Sequence, residues 1–131
     1  MAMSTIPRAL AILVLALVAT SVRAVCEDHD GQYNRHVCFM DEVKKLEAQI
    51  DIAYRKTLEA VQDAELLKQD QEFWRDSRNG DCETRAANES ILFTECQFNS
   101  TEERLGQLNM ILSGECPQSS QFCIPLKQQG R

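Results

Sequence analysis

The chain has 131 residues, 20 of them Asp or Glu against 14 Lys or Arg, for a net charge of −6, which is the size of one small domain. That acidity argues against a protein built to hold nucleic acid, whose phosphates it would repel, and is compatible with a cationic partner. Six cysteines, Cys26, Cys38, Cys82, Cys96, Cys116 and Cys123, form an even set in a short chain and read as three disulfides formed in an oxidising compartment.

Residues 1–24 read as a secretory signal peptide rather than as part of the fold. Arg8 supplies a positive start, Ala9 to Ala19 is an almost unbroken apolar run, and Val22-Arg23-Ala24 offers a cleavage site after Ala24. The run falls short of the roughly 20 apolar residues a membrane-spanning helix needs, and no later stretch is apolar enough to span. Cys26 lies close to the cleavage site, but Arg23-Ala24-Val25 departs from the pattern that precedes a lipid-anchored cysteine, so a soluble product is expected. Removing residues 1–24 leaves 107 residues with 12 Lys and Arg against 20 Asp and Glu, a net charge of −8.

Many pairings of six cysteines are possible, and sequence alone does not choose among them. Nearest-neighbour pairing, Cys26 with Cys38, Cys82 with Cys96 and Cys116 with Cys123, closes short loops and threads no helix through another. A loop of about 15 residues contributes roughly 3 kcal/mol on the chain-entropy account.

From Val25 to His36 the chain is polar and broken by Gly31. Asp28, His29, Asp30 and His36 stand near two cysteines, but a disulfide explains the cysteines better than a metal site does. Val37 to about Val61 reads as the first helix. Val43, Leu46, Ile50, Ala53, Thr57 and Val61 recur at helical spacing, Tyr54 and Leu58 widen the stripe, and Lys44, Lys45, Glu47, Asp51, Arg55, Lys56 and Glu59 largely fill the wet side.

Gln62 to Ala64 is a break, with Asp63 placed to cap the second helix. Leu66 and Leu67 followed by Phe73 and Trp74 repeat one face, and Asn79-Gly80-Asp81 predicts a stop near Arg78. Trp74, the single tryptophan, suits either a partner anchor or a core position between helices; its spacing from Leu67 favours the core. Arg78 and Arg104 are expected to bond carboxylates or helix-end carbonyls.

The third helix is predicted from Ile91 to about Leu112, with Leu105, Leu108, Ile111 and Leu112 as its apolar stripe and Gly114 as its cap. Asn99-Ser100-Thr101-Glu102-Glu103 also allows a restart, with Ser100 capping and Glu103 answering. Asn88-Glu89-Ser90 and Asn99-Ser100-Thr101 match the N-glycosylation tripeptide, which would matter only in a eukaryotic secreted protein. Glu115 to Arg131, with Pro117, Pro125 and the Cys116 to Cys123 loop, reads as a mostly irregular stapled tail.

The order Gln71, Trp74, Arg78, Cys82, then Cys96, Thr101, Arg104, Leu108 resembles the N-terminal domain of the LprI-type lysozyme inhibitors, small secreted bacterial helical domains. Asp51 to Leu58 with Tyr54 resembles that family's first-helix Tyr segment, and Cys26 with Cys38 its leading cysteine pair. The resemblance covers residues 26–112. It implies an all-α domain over residues 25–114, a three-helix antiparallel bundle or a hairpin plus a helix, stapled by disulfides; residues 115–131, the looped tail, lie beyond the segment it covers.

No serine elbow, phosphate-binding glycine loop or zinc-hydrolase helix motif is present, and with every cysteine expected in a disulfide none is left as a nucleophile. The chain is therefore expected to be no enzyme and to need no cofactor. The resemblance implies a periplasmic or secreted lysozyme inhibitor that binds a cell-wall muramidase; the partner is then a lysozyme or another cationic protein. The alternative is an exported helical interaction or envelope-stress module with a different protein partner. No residue can be assigned an inhibitory contact, and Asp81 to Cys96 and Cys116 to Cys123 are the loops where one is expected.

Overall fold

The structure is a computed structural model and describes residues 23–86, 88–115 and 124–128. Three long helices follow one another: α1 (Gln32–Ala60), α2 (Ala64–Ala86) and α3 (Ser90–Leu112). Helix α3 packs against both others, while α1 and α2 lie further apart on either side of it. Successive helices run antiparallel, so α1 and α3 point the same way, as the contact of His36 with Ser90 and Thr94 at their N-terminal ends requires. The expected all-α, disulfide-stapled three-helix bundle is the fold observed.

Helix α1 starts at Gln32, five residues before the expected Val37. Gly31, at φ 82°, turns the chain into it, a backbone angle that glycine adopts without steric cost. The polar first turn hides no apolar stripe because its cover comes from outside the helix. A short helical turn at 23–27 folds back, and Cys26, fully buried, is bonded to Cys38 with Cα atoms 5.4 Å apart.

Asp63 caps α2 as expected, its Oδ1 accepting the Leu66 N–H at 3.0 Å. The expected stop at Arg78 is not where the helix ends. It continues through Asn79-Gly80-Asp81 to Ala86, because Cys82 and Ala86 extend its buried face and Cys82 is bonded to Cys96 of α3. Gly80 costs helix stability but imposes no turn by itself. Phe73, expected on the buried face with Trp74, is 71% exposed; the position lies about 100° around the helix from Trp74, and only one of the two can face α3.

Helix α3 is continuous across Ser100, with the Thr101 hydroxyl donating to the Gln97 carbonyl at 2.6 Å. It closes in a Schellman cap: Gly114, at φ 78°, donates to Ile111 O at 2.9 Å and Glu115 donates to Met110 O at 2.9 Å.

Two apolar clusters hold the helices together. One, at the N-terminal ends of α1 and α3, joins Cys26, Phe39, Val43, Ile91 and Phe98, with the Phe39 and Phe98 rings 5.4 Å apart and tilted by 55°, a favoured aromatic arrangement. The other joins Ile50, Ala53, Val61, Leu67, Leu108, Ile111 and Ile124. Ile124 belongs to the segment 124–128, which docks on the α1–α2 connection: Gln62 N–H donates to Pro125 O at 2.9 Å and Lys127 N–H to Ala60 O at 2.7 Å, pairing Val61 with Leu126. The expected Cys116 to Cys123 bond lies outside the described residues.

Candidate functional site

Gln71, Trp74 and Arg78 stand on α2 at helical spacing, and Thr101, Arg104 and Leu108 stand on α3 with the same intervals. Because the helices are antiparallel, the two triplets interlock in reverse order. Arg104, 3% exposed, donates through Nε to Gln71 Oε1 at 2.8 Å and through Nη1 to Asp70 Oδ2 at 2.7 Å and Gln107 Oε1 at 3.2 Å. Arg78 Nη1 reaches Thr101 Oγ1 on α3 at 3.2 Å and Glu47 Oε1 on α1 at 2.8 Å. One guanidinium thus ties α2 to α3, and the other ties all three helices.

Trp74 sits between these two cations. Its ring centroid is 5.0 Å from Arg78 Cζ and 5.8 Å from Arg104 Cζ, within the range in which a guanidinium is attracted to an indole face. It is only half-buried: it packs against the main core and also lines the clefts on both of its sides. Leu108 is fully buried in that core. Tyr54, on α1, packs beside it, and burial pushes its phenol above the ordinary tyrosine range, with Lys68 acting in the opposite sense. The carboxylate partners Asp70 and Glu47 were not singled out by sequence reading. Both are more than 30 residues from their arginines, so no local spacing marks them.

The larger cleft, about 500 Å³, is the outer groove between α2 and α3. The Cys82–Cys96 disulfide, Trp74 and Leu92 line it, with Asp81, Glu95 and Glu103 among its charged residues. On the other side of Trp74, a cleft of about 250 Å³ opens between α1 and α2 beside Glu47, Asp51 and Arg75. Segment 81–96, expected as an exposed loop, is helical to Ala86 and again from Ser90. Its connection is a tight turn in which Asn88 takes a left-handed backbone at φ 73°. Asn88 and Asn99 are both exposed.

His36 Nδ1 lies 3.2 Å from Ser90 O and 3.3 Å from Thr94 Oγ1, which makes it a tie between α1 and α3. Among the described residues no group of three or more His, Cys, Asp or Glu side chains is gathered to hold a metal ion, and no helix is long and apolar enough to cross a membrane.

Comparison with known proteins agrees with this arrangement. The family described as lysozyme inhibitor LprI matches residues 26–108, a span that contains both described disulfides and every residue of the interlocked triplets. No curated protein and no solved structure matches the chain. A family match over more than half of the sequence means that the chain belongs to the lysozyme inhibitor LprI family.

Proposed function

We propose that the protein is an exported inhibitor that binds a cell-wall muramidase and blocks it, acting by occupancy rather than by catalysis. The family match over residues 26–108 carries this reading. Its physical setting is consistent. Two disulfides suit an oxidising compartment outside the cytoplasm, and removal of residues 1–24 as a signal peptide leaves a domain of net charge −8 that a basic lysozyme approaches under electrostatic attraction.

The motif arginines support the reading as scaffold. Arg78 and Arg104 make hydrogen bonds to side chains of the neighbouring helices, and Arg104 is 3% exposed, so their part in inhibition is to keep α2 and α3 in register, leaving contact with the muramidase to exposed side chains. The experiment is a titration of a c-type lysozyme acting on cell walls with the oxidised mature protein, at low and at moderate salt. Stoichiometric inhibition that weakens with salt is the expected result. Full lysozyme activity at excess protein, repeated across lysozyme types, would overturn the proposal in favour of an exported interaction module with another partner.

A further inference from the structure

Negative charge is unevenly spread along the chain. Residues 79–103 carry six acidic side chains, Asp81, Glu83, Glu89, Glu95, Glu102 and Glu103, against the single cation Arg85, so this stretch holds −5 of the −8 expected for the mature protein. Structurally it is the end of the α2–α3 hairpin, fixed by the Cys82–Cys96 bond. The same end contains the 500 Å³ groove, whose lining combines carboxylates of Asp81, Glu95 and Glu103 with the apolar surfaces of Trp74 and Leu92. Leu92 is 44% exposed. A rim of carboxylates around an indole edge and an aliphatic side chain is complementary to a long basic side chain, which has an apolar stem and a charged head.

A second observation concerns Glu95. Its ion-pair partner is Arg23, at 3.1 Å, and Arg23 also pairs with Glu27 at 3.0 Å. Arg23 precedes the cleavage site expected after Ala24, so export removes the cation that neutralises this carboxylate of the groove.

From these observations we infer that the outer α2–α3 groove is the docking surface for the muramidase, and that a lysine or arginine on the enzyme's surface enters it between Asp81, Glu95 and Glu103. This rests on the inhibitor reading and deepens it. Two cations also line the groove, Arg78 and Arg85: Arg78 is 9% exposed and paired with Glu47, whereas the exposed Arg85 opposes such an occupant and limits affinity. The disulfide across the groove keeps its walls fixed, and a preformed site loses little conformational entropy on binding.

The test compares two charge-matched variants of the oxidised mature protein against a c-type lysozyme: Glu95→Lys with Glu103→Lys in the groove, and Glu59→Lys with Glu72→Lys away from it. Both pairs change net charge equally, and all four positions are solvent-accessible. Far-ultraviolet circular dichroism and melting temperature check that each folds. The groove pair is expected to weaken inhibition by about tenfold or more at low salt, the distant pair by less than about threefold, and Arg85→Glu to strengthen it. Equal weakening by the two pairs, or none by either, would overturn the groove while leaving the inhibitor function intact. Absence of inhibition by the unsubstituted protein would overturn both.

Discussion

Arg104 Nη1 and Asp70 Oδ2 lie 2.7 Å apart, with side chains only 3% and 15% exposed, and this pair joins α3 to α2 beside the single tryptophan. A guanidinium in that position is held by its fork: Nε on Gln71 and Nη1 on Asp70 cannot both be satisfied by a lysine ammonium. Removing one partner of a buried pair leaves the other charge without compensation, at a cost of about 3–5 kcal/mol. Arg104→Ala is therefore expected to lower unfolding free energy by about 3 kcal/mol or more in urea, and Arg104→Lys by less. Combined with Asp70→Asn, the losses should be clearly less than additive. A loss below about 1 kcal/mol would place the pair with ordinary surface ion pairs.

The bond between Cys82 and Cys96 spans 14 residues and closes the turn between α2 and α3. Cys82→Ser and Cys96→Ser should destabilise the protein by similar amounts, about 3 kcal/mol each for a loop of about 15 residues, and the double variant should be no worse than either single one. Urea unfolding without reductant measures this. Unequal losses, or additive ones, would count against a shared bond. Adding reductant to the wild type should lower its midpoint further than the double variant's falls, because the wild type loses this bond in addition to the others.

Much of this was legible in advance because it depends on local periodicity. Val43, Ile50, Ala53 and Thr57 are buried on α1 where the stripe placed them, and Asp63 and Gly114 act at the helix ends they were expected to mark. What the sequence hid was set by contacts distant along the chain. Helix α2 passes through Gly80 because Cys82 and Ala86 have a neighbour on α3 to pack against, which no stop signal in Asn79-Gly80-Asp81 can reveal. Ile124, in a tail of prolines and cysteines, is 4% exposed because it reaches the core by pairing its segment with the α1–α2 connection. Glu47 looked like part of a wet face, yet Arg78 from another helix reaches it. In the candidate site, the motif residues were identifiable, but the groove beside them depends on the relative placement of α2 and α3.

The two glycines near the hairpin and the C-terminal cap should respond in opposite directions to alanine. Gly80 lies within α2 and a Cβ added there meets nothing within 4 Å, so Gly80→Ala should stabilise by about 1 kcal/mol through helix propensity and a less flexible unfolded chain. Gly114 holds φ 78°, with Leu126 Cδ1 3.7 Å from where a Cβ would sit. Here steric space is adequate and backbone conformation decides, so Gly114→Ala should cost about 1–2 kcal/mol. Urea midpoints of the two variants, shifted to either side of the wild type, are the expected outcome; a loss for Gly80→Ala would mean that α2 does not run through that position in solution.

Tyr54 gives the fold a dependence on alkaline pH. Its phenol is raised above the ordinary range chiefly by burial, which disfavours the phenolate, and also by Glu72, while Lys68, Arg75 and Arg104 act to lower it. In the unfolded chain the phenol ionises near pH 10. Below that pH both states are neutral and the contribution of Tyr54 to stability is fully present. As pH rises, the unfolded chain loses its proton first, so folding stability declines until pH passes the folded value. Tyr54→Phe removes this contribution while keeping the ring against the core. Unfolding free energy measured from about pH 9 to about pH 11 should therefore fall more steeply for the wild type than for Tyr54→Phe. Titration of the lysines that do not interact with Tyr54 is common to both proteins and cancels in the difference, leaving Tyr54 and its coupling to Lys68. Parallel pH profiles would show that the Tyr54 phenol is as well solvated in the folded protein as in the unfolded chain.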